Sequence, residues 1–211
     1  MYEEIKRVLS SLRARRFDEG EVIFRIGDMA DSFFFLKSGL ALTVATTNDR
    51  QERTVMTTWP GRTFGAASFC CRCQRRSTAI AAKPSEVVSV NWSTYRSLID
   101  THPDMAHFLA YELAEDVNSL FDQMLEDSVL DADAKVARYI VHRIDRRQCT
   151  EKDGVFSIEQ TQDFIGRILG ISRWSVNQAL TRFRAAGWLA TSYGAITVLD
   201  LNGLRQFAPE E

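Results

Sequence analysis

The chain has 211 residues, 45% of them hydrophobic and 26% charged, with a formal net charge of −2. That length fits one large domain or two small ones, and the balance is that of a globular protein, which excludes a disordered or fibrous chain. Uncharged stretches such as 39–48 and 188–199 fall short of the roughly 18 apolar residues a membrane span needs. Glu3, Glu4 and Lys6 are unlike a secretion signal, so a cytoplasmic protein without membrane contact is expected.

A short helix is predicted over 1–14. Strands follow over 21–24, 31–38, 40–46, 53–59, 77–82 and 86–91, rich in Val, Phe and Thr, with Gly27, Gly39, Asp49, Gly61 and Pro84 between them as turn formers. Many short strands at this spacing predict an antiparallel barrel or sandwich. A long helix is then predicted over 103–130. In it Ala106, Leu109, Leu113, Val117, Leu120 and Met124 recur at spacings of three and four, and Phe108, Phe121 and Leu125 broaden the stripe. Such a helix packs on its own barrel, or it also pairs with its twin in a dimer; the width of the stripe favours the second. Glu126-Asp127-Ser128 with Asp131 and Asp133 interrupts the pattern and reads as a hinge and a helix N-cap.

Beyond the hinge, Ala134, Ala137, Ile140, Val141 and Ile144 form one apolar helical face. Helices are predicted over 157–169 and 172–185, separated by Gly170-Ile171 and stopped by Gly187. Strands over 188–191 and 195–199 bracket Ser192-Tyr193-Gly194, a hairpin signal. The predicted class is α+β: an N-terminal antiparallel barrel over 1–102, a long helix and hinge over 103–131, and a C-terminal domain over 132–211.

Charge is unevenly spread. Residues 132–211 carry 11 Lys and Arg against 9 Asp and Glu, so the remainder is net negative, and 163–184 holds four arginines and one acid. A local basic element on a neutral body fits a small binding element. Within it two amphipathic helices meet at Leu169-Gly170-Ile171, and Ser172 is placed to N-cap the second. Val176, Ala179, Leu180 and Phe183 fall inward at helical spacing, leaving Arg173, Trp174, Asn177, Gln178 and Thr181 outward; Thr161 and Ser175 complete the candidate interface. Arginine suits guanine and amides suit adenine in a major groove, and the hairpin behind would serve as a wing on the phosphates.

These residues resemble the Crp/Fnr family of bacterial transcription regulators. Arg16-Phe-Asp-Glu-Gly-Glu-Val-Ile-Phe-Arg-Ile-Gly-Asp is similar to the family's first barrel strand and turn, and Ser32-Phe-Phe-Phe-Leu-Lys-Ser-Gly to the next strand. Pro60-Gly-Arg-Thr-Phe-Gly resembles the approach to its phosphate-binding cassette, and Ile165-Gly…Gly170-Ile-Ser-Arg its helix-turn-helix. The resemblance implies a jelly roll of the cyclic-nucleotide-binding type, a dimerisation helix and a winged helix-turn-helix. It implies a homodimer on double-stranded DNA, a small-molecule effector in the barrel, and RNA polymerase as partner of an activator. Gly65, Arg76 and Ser77 match the cassette of cyclic-AMP binders, but Ala66 stands where they have a glutamate. Leu120 and Phe121 stand where they place hydroxyl side chains. The expected effector is therefore not cyclic AMP, and the sequence names neither effector nor cofactor. Arg76 neutralises an anion there, or it belongs to a solvated turn with Gln74 and Arg75. In the recognition helix Trp174 replaces a family glutamate, to pack on DNA or against the wing.

Cys70, Cys71 and Cys73 crowd together and Cys149 stands apart. They leave open a redox- or haem-dependent sensor, against the reading of small, partly buried side chains; no metal set of the usual four ligands is complete. A ligand-sensing module acting through protein partners without DNA is a further alternative. No catalytic triad, P-loop or dinucleotide fingerprint is present, so no enzyme is expected.

Overall fold

The computed structural model describes residues 2–46, 52–145, 149–152, 155–192 and 194–207. The chain forms two compact units, 1–122 and 123–211, and the division falls inside one long helix.

The first unit is an antiparallel roll. Helix α1 (Glu3–Ser11) is followed by β1 (Ala14–Phe17), β2 (Val22–Phe24), β3 (Ser32–Thr46), β4 (Glu52–Thr58) and β5 (Thr63–Phe64). Helix α2 (Ala66–Cys70), β6 (Thr78–Asn91), α3 (Trp92–Thr101) and α4 (Asp104–Val129) come next. The strands are ordered β1-β6-β3-β4, with β2 added on β6 and β5 on β3. The expected jelly roll is thus found, but among the described strands the ladder is not closed into a barrel.

Two long strands replace four expected short ones. Gly39 and Pro84, read from the sequence as breakers, lie against each other in irregular stretches of β3 and β6. Proline lacks a ladder donor and fits such a bulge. The Ser85 hydroxyl patches the ladder, accepting from Leu40 N at 3.1 Å and donating to Lys83 O at 2.7 Å.

Inside the roll, Phe17, Phe24, Phe34, Leu36, Phe64, Ala79, Ala81 and Val87 are buried together. A second core joins α1, α2, α3 and the start of α4, through Leu9, Phe33, Phe69, Met105, Phe108 and Leu109, with Leu113 packed at its edge. Beyond Leu113 the stripe on α4 is bare: Val117, Leu120, Phe121 and Met124 are exposed, the last at 61%. Leu125 and the side chains of the Glu126-Asp127-Ser128 run lie outside the described ones.

The second unit contains α5 (Ala132–Asp145), β7 (Thr150–Lys152), β8 (Val155–Glu159), α6 (Gln162–Leu169) and α7 (Arg173–Ala185). Strands β9 (Leu189–Ser192) and β10 (Ala195–Val198) and helix α8 (Leu201–Phe207) complete it. Asp131 accepts from Ala134 N at 2.9 Å, as an N-cap does. The helix expected over 157–169 begins later: residues 155–159 form β8, where Ile158 is buried between the less buried Ser157 and the exposed Glu159. The wing sheet runs β7-β8-β10-β9, with Ala195 opposite Ser192 at the turn. Its core of Val136, Ile140, Ile165, Val176, Leu180, Phe183 and Ile196 is apolar. Among the described residues no helix is long and apolar enough to cross a membrane.

Candidate nucleic-acid interface and the barrel cassette

Helix α6 starts at Thr161, whose hydroxyl accepts from Phe164 N at 3.2 Å, and Gly170 ends it. Ser172 caps α7 by accepting from Ser175 N at 3.0 Å and pairs with the Ser175 hydroxyl at 2.8 Å. The turn between the helices is tight because residue 166 is glycine. A Cβ there would lie 2.8 Å from the Ile171 carbonyl oxygen, closer than carbon and oxygen tolerate. The two helices therefore meet at a fixed angle, with Val176, Ala179, Leu180 and Phe183 buried beneath α7.

Arg173 and Trp174 project into solvent from the first turn of α7, and Trp174 is 70% exposed. That turn carries no acidic residue, so its free N–H groups and Arg173 together favour an anion. Asn177 and Gln178 are half-buried rather than fully outward. The Asn177 amide oxygen accepts from Gln162 Nε2 at 3.2 Å, which fixes its amide orientation. Gln162 is a member of this surface that the sequence reading missed; its place at the start of α6 beside the Thr161 cap was the available signal. Thr181 is exposed, donates to the Asn177 carbonyl at 2.8 Å and accepts from Arg184 at 3.1 Å. Arg184 also reaches Thr191 at 3.2 Å, tying α7 to the first wing strand. Arg182 forms a two-pronged pair with Asp133 of α5, which pushes its pKa up, so this arginine is engaged inside the unit. Behind the helix, burial pushes Tyr139 up to about 12 and its hydroxyl donates to Gln160 Oε1.

Arg76 and Arg75 take different places in the roll. Arg76 is exposed, and the inward guanidinium is Arg75, only 4% exposed. Arg75 donates through Nη1 to the Gly65 carbonyl at 2.6 Å and through Nη2 to the Ser32 carbonyl. Its plane lies 4.3 Å from the centre of the Phe24 ring. Burial lowers its pKa, against the raising influence of Asp31 and Asp28. Arginine nevertheless stays a cation in proteins. Ala66 is buried in the core and Ser77 is half-buried. Leu120 and Phe121 are exposed on α4.

A second polar cluster, Arg62 with Glu112, Glu115 and Asp116, was not legible from spacing. Glu112 is 1% exposed and accepts from Arg62 Nε at 2.9 Å and Thr63 N at 2.8 Å. Asp116 lies 3.5 Å from Arg62, and burial pushes its pKa up to about 7, with Glu112 and Glu115 adding to the rise.

The thiols do not form a metal site: among the described residues no group of three or more His, Cys, Asp and Glu is arranged to hold an ion. Cys70 and Cys71 are exposed, Cys73 and Cys149 half-buried, and all four are free. Burial, followed by the neighbouring Cys71, pushes the Cys70 thiol up, which disfavours the reactive thiolate.

Comparison with known proteins matches residues 14–102 to a cyclic nucleotide-binding domain and 134–207 to a Crp-like helix-turn-helix domain. The chain belongs to the Crp/Fnr family of transcription regulators. It is a DNA-binding regulator and not an enzyme. It is 26% identical over 206 residues to the cyclic AMP receptor protein of Thermus thermophilus, covering 98% of this chain and 93% of the relative. It is 24% identical to the CRP-like cAMP-activated global transcriptional regulator of Mycobacterium tuberculosis, covering 97% and 92%. In fold it resembles FixK2 from Bradyrhizobium japonicum, with a TM-score of 0.79 at 20% identity over 95% of this chain and all of the other.

Proposed function

We propose that this Crp/Fnr-type regulator acts as a cytoplasmic homodimer that reads a palindromic operator with α7. In this reading 1–102 is the sensory domain, 103–131 the dimerisation helix and hinge, and 132–211 the reading domain. The observation that carries it is the capped, acid-free first turn of α7 with Arg173 and Trp174 held out in solvent. Dimerisation draws support from the bare stripe of Val117, Leu120, Phe121 and Met124 on α4. Paired α7 helices then meet half-sites one helical turn apart.

Arg173 is assigned to a guanine, through O6 and N7. Trp174 is assigned to a thymine methyl or the sugar-phosphate, and Asn177 and Gln178 to adenine edges; Thr161, Ser172, Ser175 and Thr181 position the helix or meet phosphates. Two relatives named for cyclic AMP raise the question of that ligand here. Against it stand Ala66 in place of an acceptor and the apolar Leu120 and Phe121, so control through the roll is by something other than cyclic AMP. RNA polymerase is the further partner where the protein activates.

Gel shifts on genomic fragments across a salt series test the reading, since phosphate neutralisation gives a steep loss of affinity with salt. Arg173→Ala is expected to cost roughly 1–3 kcal/mol on the best site and to relax one base pair of each half-site. Selection from random DNA with both proteins checks this. If both return the same base preferences, Arg173 is a phosphate contact.

A further inference from the structure

The side chain of Arg75 enters the roll from the turn ahead of β6, and its guanidinium is held by two backbone carbonyls and two aromatic rings. Its fork takes two backbone carbonyls, those of Gly65 and Ser32. Its plane covers Phe24 and reaches Phe34, at 4.3 and 5.4 Å from the ring centres. Those rings stack on each other and on Phe64 at 5.3–6.2 Å, so the cation caps a filled aromatic interior. The backbone of Arg75 is pinned as well: its N–H donates to Asp28 O at 2.8 Å, and its carbonyl accepts from Gly27 N at 2.9 Å.

Gly65 belongs to the same arrangement. A Cβ at 65 would stand 2.8 Å from Arg75 Nη1 and 3.1 Å from a Phe24 ring carbon, and the backbone there has φ of +72°. The space left by the missing side chain at 65 is thus filled by the protein's own arginine. Asp28 and Asp31 lie close enough to bias that arginine towards its charged form. Ala66, buried in the core, offers no acceptor to a ribose hydroxyl. A cyclic nucleotide entering here must strip two charge-assisted hydrogen bonds and unstack a cation from two rings before it gains a contact.

We propose that Arg75 is an intramolecular ligand of the roll: its guanidinium occupies the cassette, excludes cyclic nucleotides as a class, and leaves the dimer able to bind its operator with none present. The last clause rests on the operator reading above; the exclusion of nucleotides does not.

The full chain, unfolded, stripped of small molecules by gel filtration and refolded, is titrated calorimetrically with cyclic AMP and with cyclic GMP. No uptake is expected up to millimolar concentration, and operator affinity should change by less than about twofold, against the 5–150-fold of ordinary allosteric coupling. Micromolar uptake of either nucleotide, or a tenfold gain in operator affinity, overturns the proposal. A protein that takes up no nucleotide and also binds no operator refutes the operator reading alone.

Arg75→Ala supplies an independent readout, because it leaves a hole shaped for a guanidinium. Its Tm should fall by several degrees, and low-millimolar ethylguanidinium should restore part of the loss while leaving the wild type unmoved. An alanine variant that melts with the wild type, or is not restored, overturns the assignment. If it fails to fold, Arg75→Lys, which keeps charge but not the fork, takes its place; its Tm must lie below the wild type, and an equal Tm counts against the proposal.

Discussion

The roll and the winged unit place the arginines of their candidate sites differently. In the roll, Arg75, Ser85 and Glu112 point inward and are bonded to the protein's own backbone. In the winged unit an apolar cluster lies beside the buried Arg143 and Gln160 and the half-buried Tyr139, while Arg173 and Trp174 on α7 are exposed. Free hydrogen-bonding capacity marks the surface kept for a partner, since a buried donor already satisfied gains little from a ligand. By that measure α7 is open to DNA and the cassette is not open to a nucleotide, although both carry the residue types a ligand needs.

The comparison breaks first at α4, which belongs to both arguments. Its first half packs Met105, Phe108 and Leu109 into the roll, and Leu113 sits at the edge of that core. Leu113 is therefore a poor place to test dimerisation. Leu120→Glu with Phe121→Glu alters only exposed positions and should give monomers. Operator affinity should then fall at least a hundredfold, because two half-sites no longer act together. Light scattering with gel shifts checks both; a variant that stays dimeric removes the seam from the reading.

A smaller effect sharpens the roll side. Asp116 is held up to about 7 by burial, facing Arg62 with Glu112 and Glu115 alongside. A carboxyl whose folded pKa lies above its unfolded value of 3.8 binds its proton more tightly in the folded state. Stability from this group is therefore full below about pH 4, lost as pH rises towards 7, and flat beyond. Asp116→Asn should abolish that fall, which is on the order of 2–4 kcal/mol. Thermal melts of both proteins from pH 4.5 to 8 give the difference; parallel curves would mean that Asp116 titrates as an ordinary surface acid.

What the sequence made legible follows the same division. The helix-turn-helix declared itself because caps, glycine and a 3.6-residue apolar period all lie within about 25 residues. The roll's strands were legible too, but Gly39 and Pro84 looked like ends when they are facing halves of one irregularity. In 155–159 the alternation around Ile158 was the strand signal that the helix reading overrode. The inward place of Arg75 had a signal in the period of two. Ala79 and Ala81 are fully buried, and counting back by twos from them reaches residue 75. The Arg62–Glu112 pair had no local signal at all, since its partners are 50 residues apart in sequence and meet only in the fold.

The smallest expected effect on the fold tests the winged side. Two tryptophans lie near the wing, and they do different work. Trp188 packs beside Phe183 and Phe207, with ring centres 5.7 and 5.9 Å away, and a Cβ on Gly203 would strike its indole. Trp174 is 70% exposed, so the alternative of a ring tucked against the wing does not hold. A large exposed aromatic contributes little to folding, and Trp174→Ala should move stability by no more than about 0.5 kcal/mol. Its indole does lose water when α7 enters a groove, against a thymine methyl or a sugar, so operator affinity should fall by about 1 kcal/mol, or roughly fivefold. Melting curves and gel shifts on one preparation separate these quantities. A Tm that drops by several degrees would make Trp174 part of the core, and an unchanged affinity would leave Arg173 to read the operator without it.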